Sequence, residues 1–459
     1  YNARGLLASI SFDGPPPLAS FTYDARGQRT MRAYENGTIA YYTNDAAGQL
    51  LALAHVKTNG GSVLVQVNYG YNEVGNRTNR VESFTGYSSA TDVYGYDATY
   101  QLTNVNYSGG ARVVGYNYDP MGNLTNRTDT SASTTTFTAN NLNQLSTQNS
   151  TNLTYDSKGN LLTRPGWSYT WNAKNQLTVA EQTNPAEGSK KMTFAYDGRN
   201  RCAKRRTYTY TSGNWSLTLD TCLYYDKWNL IEGRDGNGGV IAAFANGPVI
   251  DEVLAKFTST NTVFFHGDAQ NSTLALSDSN ATVAERYRYD AFGLPSIYDS
   301  TFSSLSSSAF GVRHLYQGRE WLSEIRLNDH RFRHYSPEMQ RWFSRDPYGE
   351  QGDINLYRMV DNSPLGLIDP TGMQGTVTCG PWFRFNERTH SFKLITSVSS
   401  SRPYLMSSST SAILYENDYI RVRLKSSFDL YVEVIITNYV INNYASYMTA
   451  RWCQDDCKS

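Results

Sequence analysis

Short runs in which apolar or aromatic residues alternate with polar ones recur along the chain, as in Ser62–Tyr71 (SVLVQVNYGY) and Arg112–Asp119 (RVVGYNYD). Alternation at a period of two, rich in Val and Tyr, predicts half-buried β-strands. The strands are punctuated by a common unit: an aromatic residue, Asp or Asn, two variable residues, Gly or Asn, then Asn, Arg or Gln, often followed by Leu. It reads YDARGQR from Tyr23, NDAAGQL from Asn44, YNEVGNR from Tyr71, YDATYQL from Tyr96 and YDPMGNL from Tyr118. It continues as ANNLNQL from Ala139, YDSKGNL from Tyr155, WNAKNQL from Trp171, YDGRNR from Tyr196, YDKWNL from Tyr225 and YDAFGL from Tyr289.

The step is 25 residues from Tyr71 to Tyr96 and 22 from Tyr96 to Tyr118, and it closes to 16 between Tyr155 and Trp171. That is the length of one β-hairpin, so the pattern predicts a solenoid-like array rather than a string of separate domains. Within a unit the Tyr ends a strand with its ring on the packed face. Asp or Asn then caps the turn through its side-chain oxygen, and Gly or Asn supplies the positive φ that a tight turn needs.

Composition changes this picture in one respect. Of 459 residues, 39% are hydrophobic, a low share for a globular protein, and Tyr (35) outnumbers Phe (18). This suggests wide β-surfaces whose rings pack while their hydroxyls reach water or a partner. Formal charge is zero, so no overall basic field points to nucleic acid, and no apolar run of 18 residues predicts a membrane span. Cys202, Cys222, Cys379, Cys453 and Cys457 lack paired zinc spacing and are too few for a disulfide framework. The chain opens at Tyr1 inside a repeat, without an initiating Met or a signal peptide, which reads as a fragment of a longer product.

These units resemble the YD repeats of Rhs proteins, of the TcC subunits of insecticidal Tc toxins and of the teneurin shell. The resemblance runs over roughly residues 1–373. It sharpens in Phe264–Gly293 (FFHGDAQNSTLALSDSNATVAERYRYDAFG) and is closest from Leu315 to Met373, which looks like the Rhs-associated core domain. It implies an all-β chain: a hairpin array spiralling into a hollow shell over 1–314, the core domain over 315–373, and a variable β-rich module over 374–459. A shell whose two faces meet water or loosely held cargo would account for the composition.

The same resemblance implies a self-cleaving aspartyl site. The chain carries two Asp-Pro-x-Gly tetrapeptides 23 residues apart, in SRDPYG and LIDPTGM, with Arg333 13 residues before the first. Carried over by position, Asp346 and Asp369 are the dyad, Arg333 supports it, and the bond cut joins Met373 to Gln374. Two close carboxyl groups cannot both ionise, so one polarises the carbonyl while the other activates water. A nearby guanidinium can hold the charged member, and high effective molarity replaces substrate affinity in a reaction that happens once. Alone, Asp-Pro-x-Gly is only a turn. The chain departs from the family pattern at His334 and Ser336, where Tyr and Asp are usual, and at Met373, where Leu is usual.

Other constellations read as structural. His330 and His334 have HxxxH spacing, but on a strand their rings stand about 13 Å apart, so they are surface or packing residues. His266–Asp268 reads as a turn element and Arg199–Arg206 (RNRCAKRR) as a solvated or salt-bridged strand. No metal or cofactor site is predicted. Residues 374–459 hold no YD unit; they predict about five strands with a Ser-rich loop at 397–411, one His (His390), and a possible staple among Cys379, Cys453 and Cys457.

Together these features predict a bacterial, secreted or surface protein whose shell encloses and releases its own C-terminal module, a toxin or effector. A delivery apparatus, an immunity protein or a surface carbohydrate are the implied partners. The alternative is a surface adhesion or carbohydrate-binding shell without cleavage.

Overall fold

Each YD unit folds as strand, turn, strand, and one side chain closes the turn. Asp24 accepts the Gln28 amide on Oδ1 at 2.7 Å. Its amide donates to the Gln28 carbonyl at 2.9 Å, and the Gly27 amide returns to the Asp24 carbonyl at 2.9 Å. Gly27 sits at φ 75°, where only glycine is unstrained. The same cap recurs at Asp119, Asp156 and Asp290. Where the unit lacks its Gly, Tyr100, Asn143, Asn175 and Asn200 take the positive φ instead.

Two further features repeat with the unit. Strand pairing slips at the aromatic residue, between Gly70 and Tyr71, Asn117 and Tyr118, Thr170 and Trp171, and Ala195 and Tyr196. Such a bulge increases the local right-handed twist, which makes a long sheet wrap. The aromatic residue then bonds back to the preceding unit. Tyr71 donates its hydroxyl to the Leu50 carbonyl at 2.9 Å, Tyr118 to Leu102 at 2.8 Å, Tyr196 to Leu177 at 2.8 Å and Tyr225 to Cys202 at 2.9 Å. Each acceptor is the first residue after the preceding turn. These hydroxyls therefore stitch neighbouring units together, rather than reaching water or a partner as composition suggested.

The computed structural model describes residues 1–11, 16–351 and 353–373, and beyond them only the backbone of strands Thr376–Val377, Tyr419–Lys425 and Asp429–Ile435. Fourteen strands from Ser9–Ile10 to Thr151–Asn152 form one sheet and fifteen from Thr154–Tyr155 to Ser304–Leu305 a second. In both, spatial order follows chain order and neighbours are antiparallel. A four-stranded sheet follows: Glu320–Leu322, Leu327–Asp329, His334–Ser336 and Arg341–Trp342.

That small sheet and its loops cover the buried face of the repeats. Leu322, Ile325, Leu327, Met339 and Phe343 share one cluster with Tyr94, Val114, Tyr116, Tyr169 and Leu177. Tyr116 packs edge-on to Phe292 and Tyr169 to Phe343, both at 5.0 Å between ring centres. The expectation that both faces of the wall meet water or cargo is thus corrected here. A buried Tyr contributes as much ring area as Phe, roughly 2–3 kcal/mol per large side chain, and the hydroxyls of Tyr71, Tyr118, Tyr196 and Tyr225 are satisfied by backbone. A low apolar fraction therefore does not mean a wet face.

The basic run is paired: Arg201 with Asp197 at 2.7 Å, Arg205 with Glu320 at 2.9 Å, and Lys204 and Arg206 with Asp220 at 3.0 and 3.2 Å. Asp268 caps its turn by accepting the Ser272 amide at 2.9 Å. Cys202 and Cys222 are free thiols. No helix among the described residues is long and apolar enough to cross a membrane. In the C-terminal module, Tyr419–Lys425 pairs with Asp429–Ile435. Of the other expected strands, Thr376–Val377 is described and pairs with Leu367–Ile368; the remainder, the 397–411 loop, His390, Cys379, Cys453 and Cys457 lie outside the described residues.

Candidate self-cleavage site

Arg333 enters the site from a tight turn, not from a continuous strand. Asp329 pairs with His334, the His330 amide donates to the Arg333 carbonyl at 3.0 Å, and Arg331 sits at φ 74° between them. His330 and His334 therefore do not follow one another along a strand. Neither lies at the surface: His330 is fully buried and His334 packs against Phe194 at 5.5 Å between ring centres. The described residues contain no cluster of His, Cys, Asp and Glu fit to hold a metal.

The segment between the two aspartates is anchored on successive YD turns. Asn355 donates to the Met121 carbonyl and to Asn123 Oδ1, both at 2.9 Å. Tyr357 donates its hydroxyl to the Gly159 carbonyl at 2.8 Å and accepts Gln144 Nε2 at 3.0 Å. Asn362 reaches Gln101 Oε1 at 2.8 Å and the Gly122 carbonyl at 2.9 Å. Asp346 is tied to this segment by its amide, which donates to the Leu356 carbonyl at 3.0 Å.

Three of the predicted site residues meet. Arg333 Nη2 lies 2.7 Å from Asp346 Oδ2 and 3.3 Å from Asp369 Oδ2. Its Nη1 donates to the Leu356 carbonyl at 3.1 Å, and its guanidinium stacks over Trp342 at 4.2 Å. Asp369 Oδ1 accepts the amides of Gly372 at 2.8 Å and Met373 at 3.2 Å and the Thr371 hydroxyl at 3.3 Å. Asp346 Oδ1 accepts the Tyr348 amide at 2.8 Å. Met373, on one side of the expected cut, thus touches the dyad, whereas Gln374 lies outside the described residues.

Burial raises Asp346 to about 6, opposed by Arg333 and the Tyr348 amide and reinforced by Asp369. Burial likewise pushes Asp369 up, against Arg333 and the Gly372 and Met373 amides. Two carboxyl groups sharing one guanidinium in a dry site are both raised above the ordinary carboxylate range and titrate as a pair. One protonated and one ionised carboxyl are what general acid and base work on a peptide bond requires.

Of the positions where the chain departs from the family pattern, His334 is buried with its Nε2 unpaired and Ser336 makes a local bond. Ser336 Oγ accepts the Met339 amide at 3.3 Å.

The sequence did not point to the residues that hold the carbonyls of the last turn. His330 Nδ1 donates to the Asp369 carbonyl at 2.7 Å, Arg331 Nη1 to Pro370, the Phe332 amide to Thr371 at 3.1 Å, and Arg333 Nε to Gly372. Burial takes His330 down to about 3, so its imidazole is neutral. Arg331 is gripped in turn by Asp251, at 2.6 and 3.1 Å. No motif in the sequence marks this pairing.

The family model of the teneurin YD-shell matches residues 62–213. Among curated proteins, the chain is 29% identical over 363 residues to a tRNA3(Ser)-specific nuclease WapA of Bacillus spizizenii, covering 77% of this chain and 14% of that protein. It is 24% identical to toxin subunit YenC1 of Yersinia entomophaga, covering 81% and 44%, and 28% identical to toxin protein Tse5 of Pseudomonas aeruginosa, covering 40% and 13%. The chain thus spans less than half the length of these relatives. Among solved structures, TcdB2–TccC3 superposes with a TM-score of 0.64 at 19% identity, covering 79% of this chain and 20% of that one. A Photorhabdus luminescens Tc holotoxin pore gives 0.61 at 20% identity, covering 79% and 19%. The chain is thus similar in sequence to the teneurin YD-shell family over residues 62–213 and shares the fold of the Tc toxin shell structures.

Proposed function

We propose that this chain is the shell and self-cleaving part of a bacterial toxin-type protein, and that it releases residues 374–459 by one hydrolytic cut between Met373 and Gln374. The ionised carboxyl of the Asp346/Asp369 pair takes a proton from water, whose oxygen attacks the Met373 carbonyl carbon. The protonated carboxyl donates to the carbonyl oxygen. As the C–N bond breaks, the amine of Gln374 leaves with a proton and Met373 keeps the new carboxylate. Arg333 holds both carboxyls in place throughout. The observation that carries this reading is Arg333 Nη2 within reach of two aspartates 23 residues apart, one of which also binds the Met373 amide.

The relatives named as toxins and nucleases favour a toxic cargo in the released module, with secretion, a delivery apparatus and an immunity protein as its accompaniments. The test is pulse–chase of the full chain made by cell-free synthesis. Wild type converts to two fragments, and Asp346→Asn and Asp369→Asn each slow conversion by roughly 10³-fold or more. Conversion of both variants at the wild-type rate would rule out the dyad.

A further inference from the structure

The four carbonyls before the proposed cut are each held by a different group of one turn. Those of Asp369, Pro370, Thr371 and Gly372 accept, in order, from His330 Nδ1, Arg331 Nη1, the Phe332 amide and Arg333 Nε, every pair 39 residues apart. Three of the four donors are side chains, so the segment is not paired as a strand. Its carbonyls point toward the turn while the Gly372 and Met373 amides point to Asp369 Oδ1. This arrangement fixes which face of the peptide meets the dyad. Gly372, at φ 72°, is essential to it, because a Cβ there would lie 2.9 Å from the His330 carbonyl oxygen and 3.1 Å from the Arg333 nitrogen.

The turn does not hold itself. Arg331 is aimed by Asp251, a residue of the repeat region between strands Val240–Asn246 and Val253–Phe257. Asp251 is buried, sits at φ 59° despite being no glycine, and also binds Arg319 at 2.8 Å. A strained backbone of this kind persists only where its surroundings over-determine it. Here the surroundings are the core segment itself: a Cβ at Gly318 would lie 2.9 Å from the Asp251 carbonyl carbon.

Resting on the self-cleavage reading, we propose that His330, Arg331 and Asp251 are positioning residues that present the Met373–Gln374 bond to the dyad. Through Asp251 they make cleavage conditional on the core segment being seated against the repeats. An unseated chain keeps its dyad residues but loses the register of the peptide, so the cargo stays attached until the wall is in place. Misplacing a reacting group by about 1 Å costs on the order of 10²-fold in rate, so the coupling need not move the dyad at all.

The test follows cleavage of the full chain made by cell-free synthesis, with the pH profile of the rate. Arg331→Met and Asp251→Asn each slow cleavage about 10- to 100-fold without moving the pH midpoint, because the carboxyl pair is untouched. The double variant is no slower than the slower single, since both act through one unit. Arg331→Lys recovers part of the rate. Hydrogen exchange in the uncleaved Asp346→Asn chain supplies a readout that needs no cleavage. Adding Arg331→Met accelerates exchange in 369–373 and leaves the turn at 346–349 unchanged. Unaltered exchange at 369–373, a wild-type rate in Arg331→Met, or additive single effects would each overturn the clamp while leaving the dyad standing. Equal cleavage by wild type and Asp346→Asn would overturn the dyad instead.

Discussion

The chain writes Asp-Pro-x-Gly twice, and the two copies live in opposite surroundings. At Asp346 the turn is open: Tyr348 is 54% exposed, and a Cβ on Gly349 would meet nothing within 4 Å. At Asp369 the turn is enclosed, its carboxyl 1% exposed and its carbonyls taken by His330–Arg333. Gly349 and Gly372 share nearly the same φ, 63° and 72°. Local sequence therefore sets the turn, and tertiary packing sets what the turn is for. In the proposed cleavage, the enclosed copy presents peptide and the open copy delivers the second carboxyl.

The largest effect should come from removing what joins the two copies. Arg333→Ala leaves two buried carboxyls without their cation, so it abolishes cleavage and destabilises by about 3–5 kcal/mol, read by chemical denaturation. Sharper is the contrast between the glycines. Gly349→Ala carries only left-handed strain, about 1–2 kcal/mol, whereas Gly372→Ala adds a collision with the 330–333 turn and loses cleavage as well. Equal behaviour of the two variants in denaturation and pulse–chase would remove the distinction between the turns.

A smaller effect tests the buried charge. The folded pKa of Asp346, about 6, lies above its unfolded value near 4. Its contribution to stability is therefore complete below about pH 4 and lost as pH rises through about 6. Asp346→Asn does not titrate, so its melting temperature relative to wild type should climb by a few degrees between pH 4 and pH 7 in calorimetric scans. The smallest effect is Ser336→Ala, which removes one 3.3 Å hydrogen bond and should cost about 1 kcal/mol. Its cleavage rate should stay at the wild-type value.

The repeats were legible because their logic is local. Asp24 reaches an amide four residues on, and the alternation of Ser62–Tyr71 shows directly in the buried positions of strand Val63–Tyr71. The stitch from Tyr118 to the Leu102 carbonyl was not legible, because a backbone acceptor carries no residue code. Tyrosine also misled about the wall, since its ring packs like Phe while composition counts its hydroxyl as wet. The Asp346, Asp369 and Arg333 site could be placed only through spacing shared with a family. Its carbonyl clamp escaped notice because Arg331 turns the chain at φ 74° where a strand was expected, and because Asp251 lies in another part of the sequence.

Intact mass of the full chain after incubation near pH 6 tests the central claim most directly. The account predicts two species whose masses sum to the chain plus one water, divided after Met373, and a single uncleaved species for Asp369→Asn. A single intact species for wild type, or breaks only at the acid-labile Asp346–Pro347 and Asp369–Pro370 bonds, would contradict it.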